Sequence, residues 1–367
     1  MLRDVISCWG VALVLLQGCG GPPARSNASE AAASLASKGA AAPTNEPAPS
    51  RPGVARSESL LEERRPAPGG GTIPQASRLP AVPRLVAIGD VHGDREAAVT
   101  ALRLAGAIDA QERWIGGTLV VVQTGDQLDR GDDEREILEL FERLAAEAEA
   151  AGGAFHVLNG NHELMNVLGD FRYVTPGGFA DFEDLPGIAL DQPPWTSWPA
   201  EQRGRAAAFY PGGPYARRIA ERPLALIVGD TAFVHGGIRP EIAAHIDELN
   251  ALSRAWLAGE LEDPRPAIRR LMDLDGLVWN RDFSEPQVSP AQCEALERSL
   301  VALGVARMVV GHTVQREGVT SACDGKVWRI DVGMARHYGG HPQALEIIGN
   351  EVRVLENHQG PGVRASG

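Results

Sequence analysis

The sequence predicts an α/β domain, a β-sandwich flanked by helices, set behind a long segment with no core-forming composition. Three observations predict it. Between residues 84 and 168 an apolar run, a polar glycine-bearing loop and a helical pattern follow one another three times. Two later apolar runs each close on a histidine, at His235 and His312. From Gly20 to about Pro80 there are almost no aromatic or β-branched side chains.

The chain opens on Arg3 and a mostly apolar run from Val5 to Leu16, too short to span a bilayer and of the length of an export-signal core. The run ends in Leu16-Gln17-Gly18-Cys19, which is similar to a bacterial lipobox, where the cysteine is lipidated and becomes the mature N-terminus. Residues 1–18 are therefore expected to be a lipoprotein-type signal peptide. Residues 19–80, rich in Ala, Pro, Ser and Gly, cannot offset the entropy of ordering and are expected to be a disordered tether. About sixty residues of this kind have a reach of roughly 40–45 Å. The expected location is outside the cytoplasm, lipid-anchored through Cys19 to a bacterial membrane. Gly20 is not an aspartate, so in a Gram-negative cell this is the outer membrane, facing the periplasm.

The catalytic domain is expected over residues 81–357, followed by a flexible tail at 358–367. Structure is expected from Arg84. Leu85-Val86-Ala87-Ile88 is a buried-strand run that stops at Gly89-Asp90-Val91-His92-Gly93-Asp94, and a helical pattern follows to about Ala105. Leu119-Val120-Val121-Val122 leads to Gly125-Asp126-Gln127-Leu128-Asp129-Arg130-Gly131 and a helix to about Ala151. Phe155-His156-Val157-Leu158 leads to Asn159-Gly160-Asn161-His162-Glu163 and another helical start. In open α/β sheets the chemistry lies beyond the carboxyl ends of the strands, where each of these motifs falls. An insertion at about 168–222, rich in Pro, Trp and Gly, is expected to be a cap or substrate-facing surface. Val327 to Ile330 and Ala344 to Leu355 are expected to finish a second layer of strands.

Hydrophobic residues at 44% and charged residues at 23% are ordinary for a globular enzyme. A net charge of −13 disfavours nucleic acid and anionic lipid as partners, so an anionic substrate needs a local positive site. Asp90 and His92, two apart at a strand end, project to one side and with Asp126 can hold one metal ion. Asp126, Asn161, His235 and His312 can hold a second, with Asp126 as the bridge. Mixed imidazole and carboxylate donors suit manganese, iron or zinc more than calcium. Two divalent ions against two carboxylates leave the centre at about +2, and Arg130 and Arg281 raise it, which favours a phosphate dianion.

Taken together, GDVHGD, GDQLDRG, GNHE, VHGG and VVGHT resemble the five signatures of the metallophosphoesterase fold, the calcineurin-like architecture, in the form used by the phosphoprotein phosphatase family. MNVLGDFRYV after GNHE, LVWNR, and IDVGMARHYGGHPQALEI resemble the bacterial Shewanella-like phosphatases within it. The resemblance covers roughly Pro83 to Glu356. It implies Asp90, His92, Asp126, Asn161, His235 and His312 as ligands of two metal ions, and Arg130 and Arg281 as phosphate-binding residues. It implies His162 as general acid, oriented by Asp129, and attack on phosphorus by a hydroxide bridging the metals. The implied substrate is a phosphorylated protein or peptide, with a leaning to phosphotyrosine. A nucleotide or dinucleoside-polyphosphate hydrolase of the same fold is the alternative.

Other histidines and tryptophans have blander roles. His156 is expected in the core, His245 on the surface, Trp195 and Trp198 in packing, and His337 and His341 near the rim of the site or on plain surface. An oxidising compartment permits a bridge between Cys293 and Cys323, although a core of this size does not require one. The lipobox has a direct test. Cys19→Ala should abolish lipid incorporation and membrane retention in a bacterial host, read by metabolic lipid labelling and fractionation. Unchanged fractionation would leave a simple export signal or a peripheral protein.

Overall fold

The computed structural model describes residues 77–357. The expected signal peptide, Cys19, the tether up to residue 76 and the tail at 358–367 lie outside the described residues. The elements run β1 (Arg78–Leu79), β2 (Leu85–Ile88), α1 (Arg95–Leu104), β3 (Val120–Gln123), α2 (Glu134–Ala150), β4 (Ala154–Val157) and α3 (Asn161–Leu168). Within the insertion come α4 (Pro176–Ala180), α5 (Arg203–Phe209) and α6 (Pro214–Ala220). After it come β5 (Ala225–Val228), β6 (Thr231–Val234), α7 (Ile246–Leu257), α8 (Arg265–Leu271) and α9 (Pro290–Leu303). The chain then closes with β7 (Arg307–Val310), β8 (Thr320–Ala322), β9 (Val327–Arg329), β10 (Gln343–Ile348) and β11 (Glu351–Glu356).

Two sheets form, one ordered β11-β10-β2-β3-β4 and the other β1-β5-β6-β7-β9-β8. Alternation along the strands places them face to face. Leu85 and Ala87 of β2 and Val120 and Val122 of β3 meet Leu226, Phe233 and Val309 of the other sheet in one buried layer. Their alternates Val86, Ile88 and Val121 turn outward onto α1 and α2, against Leu102, Ile137 and Phe141. The outer face of the second sheet, Ala232, Val234, Met308 and Val310, packs on the remaining helices through Leu249, Trp256, Leu296 and Leu300. Strands buried on both faces read as continuous apolar runs, which is how the sequence displays them.

Four expectations change. Ordered structure begins before Arg84: Arg78 and Leu79, inside the expected tether, pair in parallel with Ile227 and Val228 and cover the edge of β5. The two C-terminal strand regions do not share a layer, because β9 pairs with β7 while β10 runs antiparallel to β2 in the opposite sheet. His156 is half-buried and not enclosed in the core, since β4 is an edge strand. The insertion is more than a cap, because Phe182, Phe209, Tyr215 and Ile219 are buried in the core beneath the six-stranded sheet, beside Leu128, Leu138 and Leu164. Trp195 and Trp198 pack as expected, edge-on to Tyr210 and against Phe171.

Cys293 on α9 and Cys323 beyond β8 are joined by a disulfide, with Cα atoms 5.4 Å apart. The helix and the β8–β9 hairpin thus share a covalent tie that the size of the core did not demand.

Candidate metal centre

β2, β3 and β4 run parallel and end side by side, and β6 and β7 of the facing sheet end at the same place. The loops after them carry Asp90 and His92, Asp126, Asn161, His235 and His312, all of them buried. Five of the eight described non-glycine residues with positive φ belong here: His92 (41°), Asp126 (56°), Asp129 (68°), Arg130 (67°) and His312 (68°). Side chains rarely adopt that backbone, and it persists only where surrounding structure over-determines it. Glycine supplies the clearance. A Cβ on Gly160 would stand 2.1 Å from Asp126 Oδ1, and one on Gly311 would stand 2.4 Å from Asp90 Oδ1.

Asp126 is the meeting point. Its Oδ2 lies 3.2 Å from His235 Nε2, 3.8 Å from His92 Nε2 and 3.8 Å from His162 Nε2. His235 Nε2 is also 2.9 Å from Asn161 Oδ1 and 3.1 Å from His312 Nδ1. Two groups of metal-competent atoms result, His92 with Asp126 and His162, and Asp126 with His235 and His312, each within 4.8 Å. Asp126 belongs to both. The inclusion of His162 in the first group departs from the expected set, which had Asp90 there. Asp90 Oδ2 accepts from the His312 amide at 3.1 Å, which leaves Oδ1 without a hydrogen-bond partner.

The donors are prepared for a cation. His92 Nδ1–H donates to the Leu128 carbonyl and His235 Nδ1–H to the Thr124 carbonyl, both at 3.0 Å, so each Nε2 lone pair faces inward. Burial, followed by the His162 charge, pushes His92 down to about 3. Burial, Arg281 and His235 likewise keep His312 well below its ordinary value. A low proton affinity suits metal binding, which needs a neutral imidazole. Among the carboxylates, burial and then Asp331 and Asp126 push Asp90 well up. Burial pushes Asp331 to about 6 and raises Glu163, with Asp126 adding to both. Asp90 Oδ1 and His312 Nε2 are buried with no partner. Converging carboxylates that repel one another beside unpaired lone pairs fit positive ions, and this donor set fits transition metals.

His162, a member of the first group, also forms a pair with Asp129. His162 Nδ1–H donates to Asp129 Oδ2 at 2.6 Å. Burial opposes the imidazolium, but Asp126 and Asp129 outweigh it and hold His162 above its ordinary value. The Arg130 guanidinium lies 4.3 Å from the Tyr173 ring and 5.3 Å from the Tyr338 ring, with Nη1 3.1 Å from His337 Nε2. Arg281 Nη1 donates to Thr313 Oγ1 at 2.8 Å and to the His312 carbonyl at 3.2 Å, which puts it at the second group. His337 is thus a rim residue, whereas His341 is simply exposed.

Several residues at the centre had no assigned role in the sequence. Glu163 accepts from the Asp126, Gln127, Leu128 and Gly160 amides at 2.9, 2.8, 3.2 and 2.6 Å, clasping the β3 and β4 loops together. Its position in the GNHE motif was the available signal. Tyr173 and Asn166 lie within the MNVLGDFRYV phrase, and Asp331 and Tyr338 within IDVGMARHYGG. Arg205, one of several arginines in the insertion, carried no signal at all.

The fold and this centre define a class. The calcineurin-like phosphoesterase family model matches residues 83–316. The chain is 41% identical over 293 residues to Shewanella-like protein phosphatase 2 of Arabidopsis thaliana, covering 72% of this chain and 75% of that one. It is 27% identical over 281 residues to Shewanella-like protein phosphatase 1 of Plasmodium berghei, covering 74% of each. A solved cold-active protein tyrosine phosphatase of a psychrophilic Shewanella superposes with a TM-score of 0.62 at 25% identity, over 77% of this chain and 83% of that one. The chain therefore belongs to the calcineurin-like phosphoesterases, and within them it is a metal-dependent phosphatase of the Shewanella-like kind.

Because both donor groups use Asp126, Asp126→Asn should lower total metal content, not that of one site alone. Turnover should fall by about a thousandfold, since ions of this kind contribute several kcal/mol to the transition state. Elemental analysis beside circular dichroism checks it. A folded variant with wild-type metal content and activity would remove Asp126 from the bridging position.

Proposed function

We propose that the chain is a two-metal phosphomonoesterase acting on phosphoproteins, with a preference for phosphotyrosine. The observation that carries this reading is the pair of donor groups sharing Asp126, with a histidine–aspartate pair and an arginine at their edge. Asp90, His92 and Asp126 hold one ion, and Asp126, Asn161, His235 and His312 hold the other, manganese, iron or zinc by the chemistry of the donors. When bound, such a pair supplies positive charge for the phosphate oxygens and activates water for attack.

The chain's own residues do the rest. Arg130 and Arg281 grip the equatorial phosphate oxygens with planar donor forks. Arg130 Nε is buried and without a partner, so the guanidinium has donor capacity to spare. His162 holds a proton on Nε2 and delivers it to the leaving oxygen, while Asp129 fixes the ring through Nδ1. The closeness of His162 Nε2 to Asp126 makes a ligand role the rival assignment. The bond to Asp129, which fixes Nδ1 and turns Nε2 toward the centre, favours the acid. Tyr173 and Tyr338 flank Arg130 with aromatic faces, an approach that suits an aromatic leaving group.

A leaving-group comparison tests the acid. An alkoxide, as from phosphoserine, needs a proton in the transition state, whereas nitrophenolate departs without one. His162→Ala should slow hydrolysis of a phosphoserine peptide by about 10²–10⁴-fold, the usual worth of general acid catalysis, and p-nitrophenyl phosphate far less. Metal content should hold. Equal slowing with metal loss would make His162 a ligand. On the same panel the wild-type specificity constant should be higher for phosphotyrosine than for phosphoserine peptides, and parity would remove the tyrosine preference.

A further inference from the structure

Arg205 on α5 is fully buried, deep in the insertion, yet all five of its N–H groups are engaged at the edge of the catalytic centre. Nε donates to Asn166 Oδ1 at 2.7 Å. Nη1 donates to Glu134 Oε2 and to the Gly178 carbonyl, the latter at 2.8 Å. Nη2 donates to Asp129 Oδ1 at 3.1 Å and to Glu134 Oε1 at 3.0 Å. Asn166, itself fixed by the guanidinium, donates to the same Asp129 Oδ1 at 2.9 Å and to the His162 carbonyl at 2.9 Å. One oxygen of Asp129 is thereby fully occupied, and the other is left aimed at His162 Nδ1. The Phe182 and Phe209 rings flank the guanidinium at 5.2 and 5.3 Å, which keeps water from competing for these bonds.

A buried ion pair is a poor device for stability, since taking two charges out of water costs about as much as their attraction returns. What this one does well is fix direction, because the guanidinium fork is planar and rigid. We propose that Arg205 is a positioning residue, acting through Asp129 to hold the His162 ring in line with the leaving group. The inserted region is then part of the acid machinery and not only a wall around it. This rests on the reading of His162 as the general acid.

Arg205→Lys keeps the charge and loses the fork. It should slow the phosphoserine peptide about tenfold or more, and p-nitrophenyl phosphate less than about threefold, a part of the full general-acid contribution. In the His162→Ala background the same substitution should add nothing on either substrate. The downfield Nδ1–H proton resonance of His162, identified by its absence in His162→Ala, should shift or broaden in Arg205→Lys. If the lysine does not fold, the pair Arg205→Met with Glu134→Leu removes both buried charges at similar volume and should show the same substrate split. Equal slowing of both substrates, a further loss in the His162→Ala background, or an unmoved resonance would each overturn the proposal. If His162→Ala itself fails to separate the substrates, the reading of His162 fails, which is a different result from failure of Arg205→Lys alone.

Discussion

Buried carboxylates that cannot all remain charged together without a cation are the constraint around which this molecule is organised. Asp90, Asp126, Glu163 and Asp331 lie within one enclosed region where two sheets end. Burial and mutual repulsion push three of them upward, while Asp126, against the same burial, is held well below its ordinary value by its histidine neighbours, His235 foremost. A core built for stability alone would not collect such groups. The backbone follows the same demand, with His92, Asp126 and His312 in left-handed conformations and Gly160 and Gly311 where a Cβ would strike a carboxylate. Sandwich architecture makes this possible. Each sheet alone delivers a few loops to its edge, and only two sheets ending together bring the β2, β3, β4, β6 and β7 loops to one point.

Much of this was legible in the sequence because strand ends and candidate ligands coincide. The apolar runs stop where the polar motifs begin, so Asp90, His92, Asp126, Asn161, His235 and His312 could be placed without knowing how the sheets pair. Sheet membership was not legible. Val327 to Arg329 and Gln343 to Ile348 look alike as strands, and only long-range pairing sends one to β7 and the other to β2. The short β1 was hidden for a related reason, since two residues carry no periodicity and their pairing with β5 is set entirely by tertiary contacts.

The second circle of residues was less readable still. Glu163 had a motif to announce it, but its four amide contacts depend on how two loops meet. Arg205 had nothing, because an arginine in a Pro- and Gly-rich insertion has the look of solvent-facing charge. Its burial follows from Phe182 and Phe209 drawing α5 into the core, a packing event and not a pattern. The candidate metal-binding side chains thus lie in contiguous motifs, whereas Arg205, which braces Asp129 from the insertion, lies in none.

The central claim is that two ions share Asp126. Elemental analysis of the full chain reconstituted with manganese, joined to X-ray absorption at the metal edge, addresses it most directly. Two ions per chain should be found, with a metal–metal distance of about 3.5–4 Å, the spacing of bridged two-metal phosphatase centres. A fully active chain holding a single ion, with no metal–metal scattering, would contradict it.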